Sequence, residues 1–226
     1  MSKQSSPSNR EMWDAYNRFH YLCDTHRFQK LVSRVELVRM ITEVPGDIVD
    51  AGAFKGISTI QFAHLLQAFQ PNNRSKVVSF DTFDSSFPRL RHDETNAAEA
   101  LMDDYEETAL EQLTEAVTEL GLKSRVTIVS GDIVNTFPEY LSDNPGFRIS
   151  LLHCDLDVYE PTIKTLEAAW SRIVPGGLVV FDEYAVEDWG ESDAADEFFN
   201  SLPNPPRIRQ LRNSPTPTAY CVKGGD

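Results

Sequence analysis

The chain has little positive charge. It carries 21 Lys and Arg residues against 35 Asp and Glu residues, which gives a formal net charge of −14. Nucleic acids and anionic membranes are bound through basic surfaces, so this balance argues against either as a partner. Long apolar runs are also missing, which argues against a membrane-spanning helix. The polar opening, residues 1–9, lacks the apolar core of an export signal, and we expect it to be a disordered tail.

Cysteine is scarce as well. The chain has three, Cys23, Cys154 and Cys221, and their spacing is not that of a metal site. Their odd number, together with the missing export signal, predicts a reducing compartment, namely the cytoplasm.

The glycines do not form the three-glycine pattern of a dinucleotide-binding loop. Tyr159 and Lys164 are one residue too far apart for the Tyr-x-x-x-Lys pair of a short-chain dehydrogenase. Both absences disfavour a nicotinamide oxidoreductase, which therefore ranks third among the possible functions.

Short apolar runs alternate with stretches of helical spacing along the chain. This alternation predicts a three-layer α/β sandwich in a single domain over residues 10–226. Residues 10–43 are expected to form a helical cap, and the irregular stretch 82–107 is a candidate lid. Two late runs, 207–211 and 218–222, predict an antiparallel pair of strands at one edge of the sheet.

Acidic residues follow two apolar runs in the second half of the chain. Asp155 ends the run that begins at Ser150, while Asp182 and Glu183 end the run that begins at Gly177. A helix between the runs predicts two parallel strands, whose ends lie at one edge of the sheet about 4.8 Å apart. Three carboxylates there would repel one another, and a hard divalent cation, which prefers oxygen ligands, would neutralise them.

A glycine-containing loop, residues 49–56, joins the first predicted strand to its helix. Its glycines allow close approach of a ligand, and the helix N-terminus offers amide donors to an anion. Asp81 ends the second strand, where a carboxylate can hold ribose hydroxyls, and Asp132 follows the third, where it can accept from an adenine amino group. A cofactor with a carboxylate and no pyrophosphate fits this set, so S-adenosylmethionine is the candidate. A simple tight turn at Gly52 and Gly56 is the alternative explanation of the loop.

The same residues resemble a known family. Residues 49–58 resemble the first motif of class I methyltransferases. The more specific segments are 81–83, 155–162, 175–177, 182–184, 189–190 and 195–198. Together they resemble the macrocin/mycinamicin-type (TylF-like) sugar O-methyltransferases from about residue 11 to the C-terminus. The resemblance implies a Rossmann-like fold, with a mostly parallel seven-stranded sheet and an antiparallel C-terminal strand.

The resemblance also implies an enzyme that transfers a methyl group from S-adenosylmethionine to a hydroxyl with the help of Mg²⁺. Asp155, Asp182 and Glu183 take the metal positions, although the family more often has Asp-Asp where this chain has Asp182-Glu183. Asp155 and Asp157 are the candidate catalytic bases, and the choice between them stays open. The predicted cofactor-binding residues are Asp50, Ala51, Gly52, Phe54, Gly56, Ser58, Asp81, Thr82, Gly131, Asp132, Ile133 and Asp155.

Several alternatives remain at this level. The expected acceptor is a small hydroxylated metabolite, first a sugar or glycosylated natural product and second an aromatic diol. A non-catalytic S-adenosylmethionine-binding partner protein is the competing class, and strand-end capping is the competing role of Asp155 and Asp157. His153 is a weaker candidate for the base, since its place inside an apolar run favours a core residue. The helical cap either folds over the cofactor or forms a contact in a homo-oligomer. Four aromatic residues either face the acceptor or pack in the core: Phe83, Phe87, Tyr184 and Trp189.

Overall fold

The computed structural model describes residues 8–84, 86–102 and 109–225, without the side chains of residues 101 and 102. The α-helices are α1 (Asn9–Leu22), α2 (Thr25–Met40), α3 (Ile57–Phe69), α4 (Thr95–Met102), α5 (Ala109–Glu119), α6 (Ile133–Asp143), α7 (Tyr159–Ala169) and α8 (Glu191–Asn200), with a 3-10 helix at His92–Glu94. The strands are β1 (Asp47–Ala51), β2 (Val77–Asp81), β3 (Val126–Ser130), β4 (Ile149–Cys154), β5 (Ile173–Phe181), β6 (Arg209–Gln210) and β7 (Ala219–Val222).

Two predicted segments fall partly outside the described residues. Of the tail predicted at 1–9, only Ser8 and Asn9 are described, and they cap and begin α1. Of the candidate lid at 82–107, residues 85 and 103–107 lie outside the description.

The strands form one seven-stranded sheet in the order β3-β2-β1-β4-β5-β7-β6. β1, β2, β3, β4 and β5 pair in parallel, and β7 runs antiparallel to both β5 and β6. Every residue of β4 is buried, as expected for a central parallel strand with helices on both faces of the sheet. The predicted fold class is therefore confirmed.

Helices cover both faces of the sheet and produce the three layers. α6, α7 and α8 pack on one face, and α2, α3 and α5 pack on the other. Leu152 and Leu151 are neighbours in β4 but belong to opposite clusters, because successive side chains of a strand point to opposite faces. Full burial of such a leucine stabilises the fold by about 1.5–3 kcal/mol relative to exposure.

Two local elements differ from the sequence-based expectations. The helix α6 was not predicted, and Pro138 in its interior disfavours it by propensity. Ile133, Phe137 and Leu141 nevertheless bury one face of α6, and this packing outweighs the propensity of a single residue. The Pro-Gly-Gly sequence of residues 175–177 is typical of a turn, but it lies within β5, where the pairing with β4 shifts register.

The two N-terminal helices differ in how they are held. No residue of α1 is buried. α2 buries Leu37 and Val38 in its second half, and it packs against α3. The N-terminal half of α2 therefore projects from an anchored base toward the carboxyl ends of the strands.

The described part of the candidate lid is tied to the domain through Glu94. This carboxylate is 2 % exposed and accepts from the backbone amides of Arg91 (2.8 Å) and Tyr159 (2.7 Å). Tyr159 begins α7, so Glu94 also serves as a cap for that helix.

Across the described ranges, none of the helices has the length and apolar character needed to cross a membrane.

Candidate functional site

A cavity of about 1030 Å³ lies at the carboxyl ends of the parallel strands. It sits where the strand order reverses between β1 and β4, the usual place of ligands in open α/β sheets. Small-molecule sites are typically ~300–1,000 Å³, so this cavity has room for a cofactor beside an acceptor. The predicted residues that line it are Gly52, Phe54, Ser58, Asp81, Thr82, Gly131, Asp132, Ile133, Asp155, Asp157, Asp182 and Glu183.

The loop after β1 requires glycine at two positions. Gly52 has a φ of +87°, and a Cβ there would lie 1.7 Å from the carbonyl oxygen of Asp155. Gly56 has a φ of +78° at the start of α3, and its Cβ would lie 2.5 Å from the Leu113 side chain. The first glycine therefore allows the loops after β1 and β4 to meet beneath the cavity.

Asp81 and Asp132 line the cavity while also holding protein groups. Asp81 accepts from the backbone amides of Phe54 and Phe83, each at 2.8 Å, and so fixes the loop after β1. Asp132 accepts from the Val134 amide at 3.0 Å and caps α6. Contact of either acid with a cofactor remains a prediction.

Asp132 has a second partner in the candidate lid. Arg89 donates from Nε to Asp132 (2.8 Å) and from Nη1 to Glu160 (2.6 Å). Arg89 also has a positive φ of 67°. Two ion pairs thus hold this part of the lid against the cavity wall.

The other three predicted cofactor residues do not line the cavity: Asp50, Ala51 and Gly56. Asp50 is fully buried and accepts from the hydroxyls of Ser58 (2.8 Å) and Thr59 (2.6 Å). Its other oxygen lies 2.9 Å from His153 Nδ1. Asp50 therefore supports the loop from below, because its lone pairs are used by α3 and β4 rather than turned toward the cavity.

Asp155 and Asp182 lie together because β4 and β5 are parallel neighbours. Within the described ranges, ligand atoms of His153, Asp155 and Asp182 all lie within 4.8 Å of one another. Glu183 lines the same cavity but is not a member of this group, and its backbone amide donates to Glu191 at 2.6 Å. Its role as a metal ligand remains a prediction.

The carboxylates near Asp182 have too few cationic partners to balance their negative charge. Burial, followed by the Asp182 carboxylate, raises the pKa of Asp155 to about 7. The same two causes raise the pKa of Glu183 to about 7. Burial and the Asp155 carboxylate raise the pKa of Asp157 well above its usual value. The site therefore favours a bound cation or protons.

Asp182 is the exception among these acids. Burial opposes its charged form, but His153 and Lys30 outweigh burial and hold the pKa of Asp182 well below its usual range. Burial likewise opposes a charged His153, yet the carboxylates of Asp182 and Asp50 raise the pKa of His153 to about 9. His153 Nε2 lies 3.6 Å from Asp182 Oδ1. His153 is buried, as expected of a core residue, and it also connects Asp50, beneath the loop after β1, with Asp182.

Sequence reasoning missed the cationic residues that α2 places in the cavity wall, Lys30 and Arg34 among them. Lys30 Nζ lies 2.9 Å from Asp182 Oδ2, and Arg34 Nη1 donates to Gln61 Oε1 at 2.7 Å. The two residues are four apart and so share one face of the helix. A basic pair in line with the buried Leu37 and Val38 was the signal available in the sequence.

The four candidate aromatic residues divide evenly between the two expected roles. Phe87 and Trp189 line the cavity, with their rings within 15° of parallel and their centroids 6.3 Å apart. Phe83 is 5 % exposed and belongs to the core. Tyr184 packs against the core and donates to Asp196 at 2.8 Å.

Known proteins resemble the chain over most of its length. It is 30% identical over 174 residues to "8-demethyl-8-(2,3-dimethoxy-alpha-L-rhamnosyl)-tetracenomycin-C 4'-O-methyltransferase" of Streptomyces olivaceus, covering 74% of this chain and 64% of the relative. It is 30% identical over 148 residues to "Mycinamicin III 3''-O-methyltransferase" of Micromonospora griseorubida, covering 63% of this chain and 57% of the relative. The chain thus spans less than two thirds of the length of these two relatives.

A solved structure and a family model agree with these relatives. The apo structure of "CalS11, TDP-rhamnose 3'-o-methyltransferase, an enzyme in Calicheamicin biosynthesis" superposes with a TM-score of 0.71 at 29% identity, covering 97% of this chain and 89% of that one. The model of the family described as "Macrocin-O-methyltransferase (TylF)" matches residues 3–202. Because that match includes the glycine loop, the acid cluster and most of the helices around them, the chain belongs to the macrocin O-methyltransferase (TylF) family.

Proposed function

We propose that the protein is an S-adenosylmethionine- and Mg²⁺-dependent O-methyltransferase that methylates a sugar hydroxyl of a glycosylated natural product or of its sugar precursor. The observation that carries this proposal is a single cavity lined both by the loop after β1 and by the acids after β4 and β5. Family membership supports the reaction class, and the relatives named for rhamnosyl, mycinamicin and TDP-rhamnose substrates support a sugar acceptor.

Asp81 and Asp132 would hold the nucleoside of the cofactor, and Asp155 would contact the rest of it. S-adenosylmethionine supplies an electrophilic methyl group on a good leaving group. What the chain must provide is alignment of the acceptor oxygen, which can contribute several kcal/mol and up to ~7–11 in ideal cases. Gly52 lets the loops after β1 and β4 meet closely beneath the cavity.

The residues present fit a divalent cation. Asp182 Oδ1 is buried and makes no hydrogen bond to a described residue, and His153 Nε2 lies 3.6 Å away, so this hard oxygen still has a lone pair for a cation. Asp155 and Asp182 would hold the ion, with Glu183 reaching toward it from the same wall. When bound, the cation lowers the pKa of the acceptor hydroxyl.

A carboxylate of this chain takes the proton of the acceptor hydroxyl. Asp155 has a pKa raised by burial and by Asp182 to about 7, which suits a general base near neutral pH. Asp157 lies in the same wall, at a positive φ of 63°, and burial and the Asp155 carboxylate also raise its pKa well above the usual value. Asp157 is the base if Asp155 is fully engaged with the cation.

The cap and the lid enclose the acceptor. Phe19 and Leu22 of α1 line the cavity, although α1 itself buries no residue. Phe87 and Trp189 also line the cavity, and aromatic rings suit the apolar face of a deoxysugar. The cap at residues 10–43 and the lid beginning at residue 82 are therefore assigned to ligand enclosure.

Methyl transfer to a defined acceptor panel tests this function. The panel contains a TDP-linked 6-deoxyhexose, a rhamnosylated polyketide and a catechol, each with S-adenosylmethionine and with either Mg²⁺ or a chelator. We expect Mg²⁺-stimulated methylation of a sugar acceptor. Transfer to the catechol alone would overturn the sugar assignment, and no transfer to any acceptor, with cofactor binding intact, would favour a non-catalytic binding protein.

Asp182→Asn tests the metal assignment. The variant should lower kcat about 100-fold or more, since the cation's charge stabilisation is worth several kcal/mol, and it should affect cofactor affinity only modestly. Asp143→Asn, at an exposed position at the end of α6, is the matched control. Unchanged Mg²⁺-stimulated turnover in Asp182→Asn would refute the metal role of this residue.

A further inference from the structure

We propose that Lys30 and a divalent cation are alternative partners of the Asp182 carboxylate, so that Lys30 sets the affinity of the site for the cation. This inference rests on the proposed metal site and adds a residue of the N-terminal cap to it.

The contact is direct and specific. Lys30 Nζ lies 2.9 Å from Asp182 Oδ2, while the Asp182 side chain is 1 % exposed and the Lys30 side chain 22 % exposed. The other oxygen of Asp182 makes no hydrogen bond to a described residue, although His153 Nε2 lies 3.6 Å from it. The ammonium therefore occupies one of two oxygens that a cation would use, and it neutralises the charge that would attract that cation.

A cation bound to Asp182 would lie close to the ammonium. Mg²⁺ binds carboxylate oxygen at about 2.0–2.1 Å, so the two positive centres would be about 5 Å apart or less if the cation took Oδ2 and Lys30 kept its contact with the same oxygen. Like charges at such a separation repel strongly in a partly buried site. Binding of the cation is therefore coupled to withdrawal of Lys30.

Lys30 can withdraw without rearrangement of the fold. Leu37 and Val38 anchor the second half of α2 in the core, so the helix stays in place. The Lys30 side chain lines the open cavity, and its flexible four-carbon stem lets the ammonium rotate toward solvent. Only side-chain rotation separates the two states of Asp182.

The test measures Mn²⁺ binding by the electron paramagnetic resonance signal of free Mn²⁺, with the full chain and no acceptor. The wild type is compared with Lys30→Met, Lys30→Gln and Lys30→Arg. Lys164→Met is the matched control, because Lys164 is an exposed lysine paired with Glu167 on α7 and its loss changes the net charge equally.

We expect Lys30→Met and Lys30→Gln each to bind Mn²⁺ at least about tenfold more tightly than the wild type, with Lys30→Arg and Lys164→Met close to it. Thermal unfolding gives a second readout, since Mn²⁺ should raise the melting temperature more in the two neutral variants than in the wild type. Lys30→Gln keeps a hydrogen-bond donor for Asp182, so it serves if Lys30→Met does not fold.

Two further results would count against the inference in different ways. Equal Mn²⁺ affinity in the wild type and both neutral variants, with loss of binding in Asp182→Asn, would overturn the role of Lys30 and leave the metal site standing. Absence of Mn²⁺ binding in every variant would overturn the metal site and this inference together, while methyl transfer in the presence of a chelator would show that the transferase function survives without them.

Discussion

Substitution of Gly52 by alanine should damage both the fold and the cofactor site, and two other glycines provide its controls. Gly52, Gly56 and Gly121 all have positive φ, at +87°, +78° and +67°. Each alanine therefore carries a similar left-handed backbone penalty of about 1–2 kcal/mol. The three positions differ in what the new Cβ would meet.

The Cβ environments predict an order of damage. At Gly121 nothing lies within 4 Å, so only the backbone penalty applies. At Gly56 the Cβ meets the Leu113 side chain at 2.5 Å, which can move at some packing cost. At Gly52 it meets the carbonyl oxygen of Asp155 at 1.7 Å, and that backbone is held by the bond from the Asp155 amide to the Ala51 carbonyl (2.8 Å). Relief there requires separation of β1 from the chain after β4.

Thermal unfolding and S-adenosylhomocysteine binding read out this series. For a chain of this size about 1 kcal/mol shifts Tm by ~2–4 °C, so Gly121→Ala should lose roughly 2–8 °C. Gly52→Ala should lose at least about 3 kcal/mol, which is ~6–12 °C or more, and it should lose the ligand. Gly56→Ala should fall between them. Equal losses at Gly52 and Gly121, or intact ligand binding by Gly52→Ala, would refute the close approach of the two loops.

Two further predictions concern the site itself. Because burial and Asp182 raise the pKa of Asp155 from its ordinary value of 3.8 to about 7, the metal-free folded state binds more protons than the unfolded state between these values. Stability should therefore decline as pH rises from about 4 to 7, and the decline should be smaller in Asp155→Asn; identical pH profiles of Tm would contradict this assignment. Trp189→Ala should raise the KM for the acceptor several-fold and leave the affinity for S-adenosylhomocysteine unchanged, because Trp189 lines the cavity beside Phe87 and lies far from Gly52 and Asp81 in the sequence. Acceptor titration measures the KM and calorimetry measures the affinity. A weaker affinity for S-adenosylhomocysteine with an unchanged KM would contradict this assignment.

The acids Asp155, Asp182 and Glu183 show how much of the candidate site could be predicted from the sequence. Two apolar runs joined by a helix predict parallel neighbours, and parallel neighbours end at one edge of the sheet. That reasoning brought Asp155 and Asp182 together without any structure. It did not place Glu183, because the direction of a side chain beyond a strand end depends on its loop, and here Glu191 holds the Glu183 amide.

The loop after β1 also shows which features could be predicted from the sequence and which could not. The need for glycine between a strand and its helix was readable, but the roles of the neighbouring residues were not. Asp50 follows the expected pattern in sequence and yet turns to Ser58, Thr59 and His153, because the pleat of β1 points it at β4 and α3 rather than at the cavity. The alternation of a strand is readable, whereas the face that meets the ligand depends on the neighbours.

The sequence by itself therefore determined the layered α/β fold, the edge of the sheet that carries the site and the chemical character of its oxygens. These features depend on local periodicity and on chain connectivity, and both follow directly from the amino-acid sequence. Only the tertiary structure decided which charges meet. Lys30 and Asp182 are 152 positions apart, and their contact arises from the packing of α2 on α3, which no local spacing encodes.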